Sequence, residues 1–480
     1  MRLDARDFSL AGTTVLGINS LELGDPTKRT VNTGESRVAK LAYLARLSYV
    51  FDNRIDFSAS IREDGYSGFA EGNKYGVFPA ASIGYTISNE SFFKNNFANF
   101  LKLRLSYGEI GNPSIGVYST FPNIGTRNYL FGNVPVVTAF VSNLANKEVG
   151  WERTATLNLG LDFGILKNTL SGSVNLYRAN TYDLLLNRVI PSTTGFTNVA
   201  GNIGKLANKG LEVELTSKNI VSGDFSWESG LNFWINRNKI VSLYGLDANG
   251  DGREDDDIAN SRFIGKSLGA VYNYVFDGIV QAGDTAFTRI YNDKPGDIKF
   301  MDLNGDGKLN AEDRSIIGYT KENYTASLSN TLRYKGFELY FMFFTIQGGG
   351  KNNWYIGSNT YALNPATWYP NVANWLDKEY WMPETPSNTI PKPNYVNKYG
   401  YNFIADRSFI RLQDVSFAYT FSGKLLGKTP LKAARMYLSA KNLATFTRWE
   451  GLDPETATPY ASQNGFPVFR IINLGLNVTL

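Results

Sequence analysis

The sequence predicts an all-β protein, specifically a transmembrane antiparallel β-barrel. Apolar and polar residues alternate with a period of two in many segments, most of them close to the ~10 residues that a tilted membrane strand needs. The connections between these segments alternate between short and long, as they do between the two ends of an outer-membrane barrel. The most apolar stretch, residues 337–346, contains Glu338 and is far shorter than the ~20 residues of a transmembrane helix.

The first predicted hairpin shows the alternation clearly. Tyr43, Leu47 and Tyr49 share one face of residues 43–51, and Arg46 lies on the other. The same pattern predicts roughly 13 strands, within residues 43–51, 55–62, 78–87, 101–107, 157–163, 170–176, 211–215, 225–235, 324–334, 337–345, 415–421, 436–440 and 474–480. The polar faces of these strands carry Lys102, Arg104, Asn158, Asp162, Asn175, Glu212, Glu214 and Asp414.

Loop length separates a barrel from a soluble β-sandwich, which shows the same alternation. The short connections, expected on the periplasmic side, are residues 52–53, 88–99, 166–168, 218–224, 335–336 and 422–434. The long ones, expected to be extracellular, are residues 62–76, 109–150, 184–208, 237–323, 348–408 and 448–468. A sandwich has no reason to place its long loops at one end. The strand-like residues 270–281 are expected to belong to an extracellular loop. Residues 1–37 are expected to be an extracellular loop or tail, and residues 38–480 the C-terminal part of the barrel.

Composition excludes several functions. The chain has no Cys and no His, which removes thiolate nucleophiles, Ser-His triads and HExxH metal sites. Its 48 basic and 44 acidic residues are scattered without a basic block, so we expect no nucleic-acid binding. The charged opening is not followed by the apolar core of a signal peptide, so we expect this chain to be a fragment of a longer exported protein.

The sharpest local motif is DLNGDGKLNAED at residues 302–313, whose spacing suits calcium. Side-chain oxygens recur as in a calcium-binding loop, Gly307 takes the sharp-turn position, and Lys308 can offer its carbonyl. The candidate metal residues are Asp302, Asn304, Asp306, Lys308, Asn310 and Asp313. Asp313 replaces the bidentate Glu of an EF-hand, which weakens binding. An Asx-rich turn without an ion is the alternative, and no organic cofactor is expected.

Two further loops are candidates for weaker roles. Residues 247–257, DANGDGREDDD, begin like a calcium loop but have Ile258 at the twelfth position, which favours a solvated acidic loop. A pair of catalytic carboxylates is disfavoured there, because adjacent loop residues do not face one another across a sugar. The loop at 348–408 is rich in aromatic residues that either contact substrate or a lid protein, or fold the loop onto the barrel rim. They include Trp354, Tyr355, Trp368, Tyr369, Trp375 and Trp381.

Several stretches in collinear order resemble the SusC/RagA family of TonB-linked outer-membrane proteins, from about Leu41 onward. They include LKLRLSYGEIGN at 101–112, WERTATLNLGLDFG at 151–164, NIGKLANKGLEVEL at 202–215, FIRLQDVSFAYTF at 409–421 and SAKNLATFTRWEGLDPE at 439–455. The resemblance implies the C-terminal part of a 22-stranded barrel, with the plug domain absent from this chain.

The resemblance also implies a function. It predicts TonB-dependent import of nutrients, most often oligosaccharides or other glycans, across the cell outer membrane of a Bacteroidetes-like bacterium. The implied partners are a SusD-like surface lipoprotein, the TonB-ExbB-ExbD complex acting through the absent N-terminal region, a glycan or peptide substrate, and outer-membrane lipids. No enzyme activity is expected. The alternatives are a passive porin or adhesin-like barrel, and a soluble carbohydrate-binding β-sandwich.

Overall fold

A computed structural model describes residues 2–11, 30–93, 97–116, 119–352, 379–393, 395–401, 403–427, 430–450, 453–455 and 468–479. One antiparallel sheet of 14 strands dominates this part of the chain, and its strands pair in chain order. The strands are β1 (Arg2–Ala11), β2 (Thr30–Phe51), β3 (Ile55–Tyr66), β4 (Tyr75–Thr86), β5 (Ala98–Asn112), β6 (Glu152–Ile165), β7 (Leu170–Tyr182), β8 (Lys205–Ser222), β9 (Phe225–Ser242), β10 (Tyr324–Tyr334), β11 (Phe337–Gln347), β12 (Phe409–Thr420), β13 (Ala433–Thr447) and β14 (Ile471–Thr479).

The predicted strands are confirmed, since each of the 13 predicted segments overlaps one of the strands β2–β14. The predicted alternation of loop lengths holds except after β3, where the connection 67–74, predicted to be long, is shorter than the connection 87–97, predicted to be short. The tight turns contain left-handed residues, as Asp52 and Asn53 do between β2 and β3. Such short turns leave little freedom in strand register, which fixes the direction of every side chain that follows. The β-sandwich alternative is wrong, because these strands form one continuous sheet rather than two packed sheets.

The interpretation of residues 1–37 as a loop or tail is corrected by β1 and the first part of β2. Arg2 pairs with Ala39 and Ala11 pairs with Thr30, so this segment extends the sheet by one antiparallel strand. The pairing is made by backbone hydrogen bonds, which do not depend on side-chain alternation. A sequence without apolar alternation can therefore still form a strand.

The two faces of the sheet differ in chemistry, as the sequence predicts. Leu47 is 62% exposed and Leu474 is 76% exposed, so large apolar side chains face outward across the whole sheet. A soluble protein rarely exposes an apolar surface of this extent, whereas a lipid-facing barrel wall requires one. The opposite face carries the polar and charged residues described below. No helix in the described part of the chain is long and apolar enough to cross a membrane.

The long connections contain their own small elements. These are the antiparallel pairs Ile124–Phe131 with Val134–Val141, Leu185–Val189 with Asn198–Asn202, Ala270–Tyr274 with Arg314–Tyr319, Phe276–Ile279 with Ile298–Phe300, and Gly350–Asn352 with Ile404–Asp406. Helix α1 is Thr285–Tyr291 and the one-turn helix α2 is Gly423–Leu426. Short 3₁₀ turns occur at Ile87–Asn89, Ser192–Thr194, Ile258–Asn260 and Ala311–Asp313. The strand-like residues 270–281 thus belong to the connection between β9 and β10, as the sequence predicts.

Candidate functional site: the polar face and the external loops

The polar face of the sheet is built from charged groups paired across strands. The Arg104 guanidinium on β5 donates to both carboxylate oxygens of Asp162 on β6, each at 2.7 Å, and to Asn175 Oδ1 on β7 at 3.1 Å. Lys102 on the same face pairs with Asp56 of β3. Together these contacts cross-link β3, β5, β6 and β7 on the polar face of the sheet.

A second network lies near the short turns. Glu338 on β11 accepts hydrogen bonds from Arg333 at 2.9 Å and from Arg435 at 2.7 Å. On the opposite, apolar face, which also carries Leu328, Asn330 Oδ1 accepts from the Trp227 indole N–H at 3.0 Å and from the Ser229 hydroxyl at 2.7 Å. Both charged networks of the polar face therefore lie toward the short turns.

The external loops fold together around an apolar cluster. Tyr274, Ile298, Phe300 and Trp381 are buried against one another, so residues from two different long loops share one core. The Trp381 indole N–H donates to Gln281 Oε1 at 2.9 Å. Of the two roles predicted for the aromatic residues of this loop, Trp381 therefore has the structural one: it helps to fold the loop. The other predicted contact residues of this loop, Trp354, Tyr355, Trp368, Tyr369 and Trp375, lie outside the described residues.

An ion pair with one buried partner lies beside this cluster. The Lys398 ammonium lies 2.5 Å from Oδ1 of Asp293, whose side chain is almost fully buried. Burial raises the pKa of the Asp293 carboxyl above its ordinary value. Burial lowers the pKa of Lys398, but the hydrogen bonds to Asp293 and Tyr399, together with the charge of Asp293, outweigh burial and the pKa is raised. The pair joins the segment after α1 to the loop that precedes β12.

The 302–313 loop forms the Asx turns of the ion-free alternative. Asp302 accepts backbone N–H bonds from Gly305 at 2.7 Å and Gly307 at 2.9 Å, and also the Tyr291 hydroxyl at 2.8 Å. Asp313 is fully buried and accepts the backbone N–H of Leu303. The pKa of Asp302 is lowered, first by the Tyr291 hydrogen bond.

The remaining predicted ligands also make local bonds. Asn304 accepts from the Asp306 N–H, Asp306 from the Lys308 N–H, and Asn310 from the Glu312 N–H. Among the described residues no group of three or more acidic side chains is arranged to hold a metal. In this arrangement the loop does not present a preformed calcium cage, and calcium binding stays a prediction.

The acidic run at 254–257 is structural. Glu254 accepts the backbone N–H groups of Leu243 and Gly245, and Asp255 accepts that of Ala248. Asp257 pairs with Arg262 and accepts the Tyr244 hydroxyl at 2.7 Å. These carboxylates tie the loop to itself, which is more order than the solvated loop the sequence predicts, and they do not form an opposed catalytic pair.

Sequence reasoning missed the anchor of the last described loop. Arg411 on β12 has a side chain that is 2% exposed and donates to Asp453 at 2.9 Å and to Glu455. Its Nε donates to Thr445 Oγ1 on β13 at 3.0 Å. The only signal in the sequence was that Arg411 and the two acidic residues all fall in family-like stretches.

A continuous antiparallel sheet with an apolar outer face, a paired polar face and long loops at one end defines the wall of a membrane-spanning β-barrel. The chain belongs to the family described as TonB dependent receptor-like, beta-barrel, whose sequence model matches residues 4–443. Within this outer-membrane family of receptors it is of the SusC/RagA type.

Individual relatives agree with this assignment. The chain is 32% identical to TonB-dependent receptor P3 of Formosa agariphila, over 91% of this chain and 45% of that protein. It is 28% identical to TonB-dependent receptor SusC of Bacteroides thetaiotaomicron, over 92% of this chain and 44% of that protein. The structure of the RagAB peptide transporter matches with a TM-score of 0.79 at 22% identity, covering 99% of this chain and 52% of that chain, which shows the same fold. The chain spans about half the length of the relatives it matches.

Proposed function

We propose that this chain forms part of the barrel wall of an outer-membrane importer that takes up nutrients in a TonB-dependent manner. The observation that carries the proposal is the sheet itself, with large apolar residues on its outer face and ion pairs such as Arg104–Asp162 on its polar face. A polar lumen face lets hydrophilic solutes pass a membrane that the apolar face spans. Family membership favours energised transport over a passive porin or an adhesin.

The proposed substrates are oligosaccharides or other glycans, captured with a SusD-like surface lipoprotein and drawn in by the TonB-ExbB-ExbD complex. The kinship with SusC supports this partner arrangement. Peptides are the second candidate, because the transporter of matching fold is named for peptides. The folded external loops around Trp381 would provide a rigid surface for the lipoprotein and the substrate.

The proposal is tested by uptake in cells that carry the intact receptor and its lipoprotein. Fluorescent oligosaccharides and peptides of matched size are supplied to cells with and without TonB. We expect accumulation of one class that stops when TonB is removed. Accumulation that continues without TonB would indicate a passive pore. Accumulation of neither class would reject nutrient import of these types.

A further inference from the structure

Basic side chains collect at one place on the apolar face of the sheet. They lie on β6–β9, at the end of these strands that carries the long external loops. We call this group the basic belt; its six members are Arg153, Arg178, Lys205, Lys209, Arg237 and Lys239. All six are exposed, and together they line two adjoining surface depressions of about 780 and 410 Å³.

The strand register places the belt directly beyond the apolar band. Leu176 pairs with Leu211 and Leu211 with Ile235, which gives one apolar row across β7, β8 and β9. Arg178 pairs with Lys209 and Lys209 with Arg237, so the next row on the same face is basic at all three positions. Residues two apart on a strand are separated by ~7 Å, so the charge begins one row above the apolar side chains.

The belt lacks the counter-charges that the polar face has. Among the described residues no ion pair involves any belt member. Glu109 and Asp183 line the larger depression, but no acidic residue lines the smaller one, where Arg178, Lys209 and Arg237 meet. Like charges directly opposite one another on paired strands destabilise a sheet. An anion bound across Arg178, Lys209 and Arg237 would remove that repulsion.

We propose that the basic belt binds the phosphate groups of anionic glycolipids in the outer leaflet of the membrane. The apolar row of Leu176, Leu211 and Ile235 would contact the acyl chains while the row above it meets the headgroups. Charge complementarity and this vertical order favour a membrane lipid over a free anion, which needs no apolar row beneath it. The proposal rests on the proposed function only in requiring that the barrel lies in the outer membrane.

The test compares two variants with equal loss of charge. The belt variant is Arg178→Gln/Lys209→Gln/Lys239→Gln; Arg237 is kept because it also donates to the Asn323 carbonyl at 2.7 Å. The control variant, Lys167→Gln/Lys218→Gln/Lys335→Gln, removes three exposed basic residues near the short turns.

The receptor, purified in detergent, is mixed with diphosphoryl lipid A, with dephosphorylated lipid A, or with inorganic phosphate, and bound molecules are counted by native mass spectrometry. A gel shift between folded and heat-denatured protein confirms that each variant is folded. We expect wild type and control to bind the diphosphoryl lipid equally, and the belt variant to bind it at least about tenfold more weakly.

Three results would overturn the proposal: equal binding by the belt variant and wild type, equal binding of the dephosphorylated lipid, or a matching loss in the control. Strong competition by inorganic phosphate would instead assign the belt to free anions, and binding of an acidic protein alone would assign it to a partner. Lipid binding is measured without substrate or TonB. Failure of uptake alone therefore leaves this inference standing, and failure of lipid binding alone leaves the importer standing.

Discussion

Replacing Arg411 with Met is expected to release the loop that follows β13 from the barrel wall. The Arg411 guanidinium is 2% exposed and lies 4.6 Å from the centre of the Phe409 ring. It holds Asp453, which is 9% exposed, and Glu455, which is 38% exposed. Met fills a similar volume but leaves the Asp453 carboxylate buried without its counter-charge, which costs about 3–5 kcal/mol when one partner of a buried pair is removed.

The lower end of that range applies here, because Glu455 is exposed enough to regain water. A loss of about 3 kcal/mol corresponds to an increase of about 100-fold in the opening equilibrium of the loop. Hydrogen exchange of the backbone amides of Asp453 and Glu455 measures this opening directly, because the Glu455 N–H donates to Asp453 at 2.9 Å.

The matched control is Arg435→Met. Arg435 also pairs with a carboxylate, Glu338, at 2.7 Å, but the two side chains are 39% and 28% exposed. An exposed pair contributes about 0–1 kcal/mol, so exchange at 453–455 should not change. Equal exchange in the Arg411 variant and in wild type would refute the view that the buried guanidinium anchors this loop.

Three other expectations concern the external loops and the wall. Calorimetry should detect calcium binding that Asp306→Ala abolishes; absence of heat in wild type would assign residues 302–313 to the ion-free turn. Burial and the Asp302 carboxylate raise the pKa of Tyr291 to about 12, so the stability given by its neutral form, complete below pH 10, is lost as pH rises toward 12. The difference between the phenolate absorbance titrations of wild type and Tyr291→Phe should have its midpoint near pH 12. Asp302→Asn should move this midpoint toward pH 10. A midpoint near pH 10 in the wild type would contradict the prediction. Gly172→Ala should destabilise the barrel by about 1–3 kcal/mol, since the added Cβ would clash with the backbone carbonyl oxygen of Glu214. In the control Gly318→Ala, the added Cβ meets no atom within 4 Å. Equal heat-shift midpoints for the two variants would contradict this difference.

The sequence predicted the sheet well because a period of two reports directly on which face of a strand a side chain occupies. All 13 predicted strands are present, and the charged residues assigned to the inner face of β5 and β6, Lys102, Arg104 and Asp162, lie in the paired network there, whereas the buried Asn158 Oδ1 has no hydrogen-bond partner. It did not predict β1, which pairs with the first part of β2, because these residues lack the apolar alternation on which the strand predictions rest.

The contacts within the loops could not be predicted for a different reason. Trp381 meets Gln281 across 100 residues, and Arg411 meets Asp453 across 42. No local pattern encodes such distant pairs, because they form only when several loops fold on the same end of the sheet. The calcium-like motif was found by spacing, yet spacing does not say whether the carboxylates accept N–H groups of their own loop.

Charged side chains on the two faces of this sheet differ in whether they have an ion-pair partner. Arg104 on the polar face is held by Asp162 and Asn175, so its charge is paired within the wall. Arg178 and Lys209 on the opposite face have no ion-pair partner in the described chain, although a directly opposed pair of cations costs stability. The row of unpaired cations above the apolar band therefore favours an anion at that height. In a membrane, that is the level of the lipid headgroups.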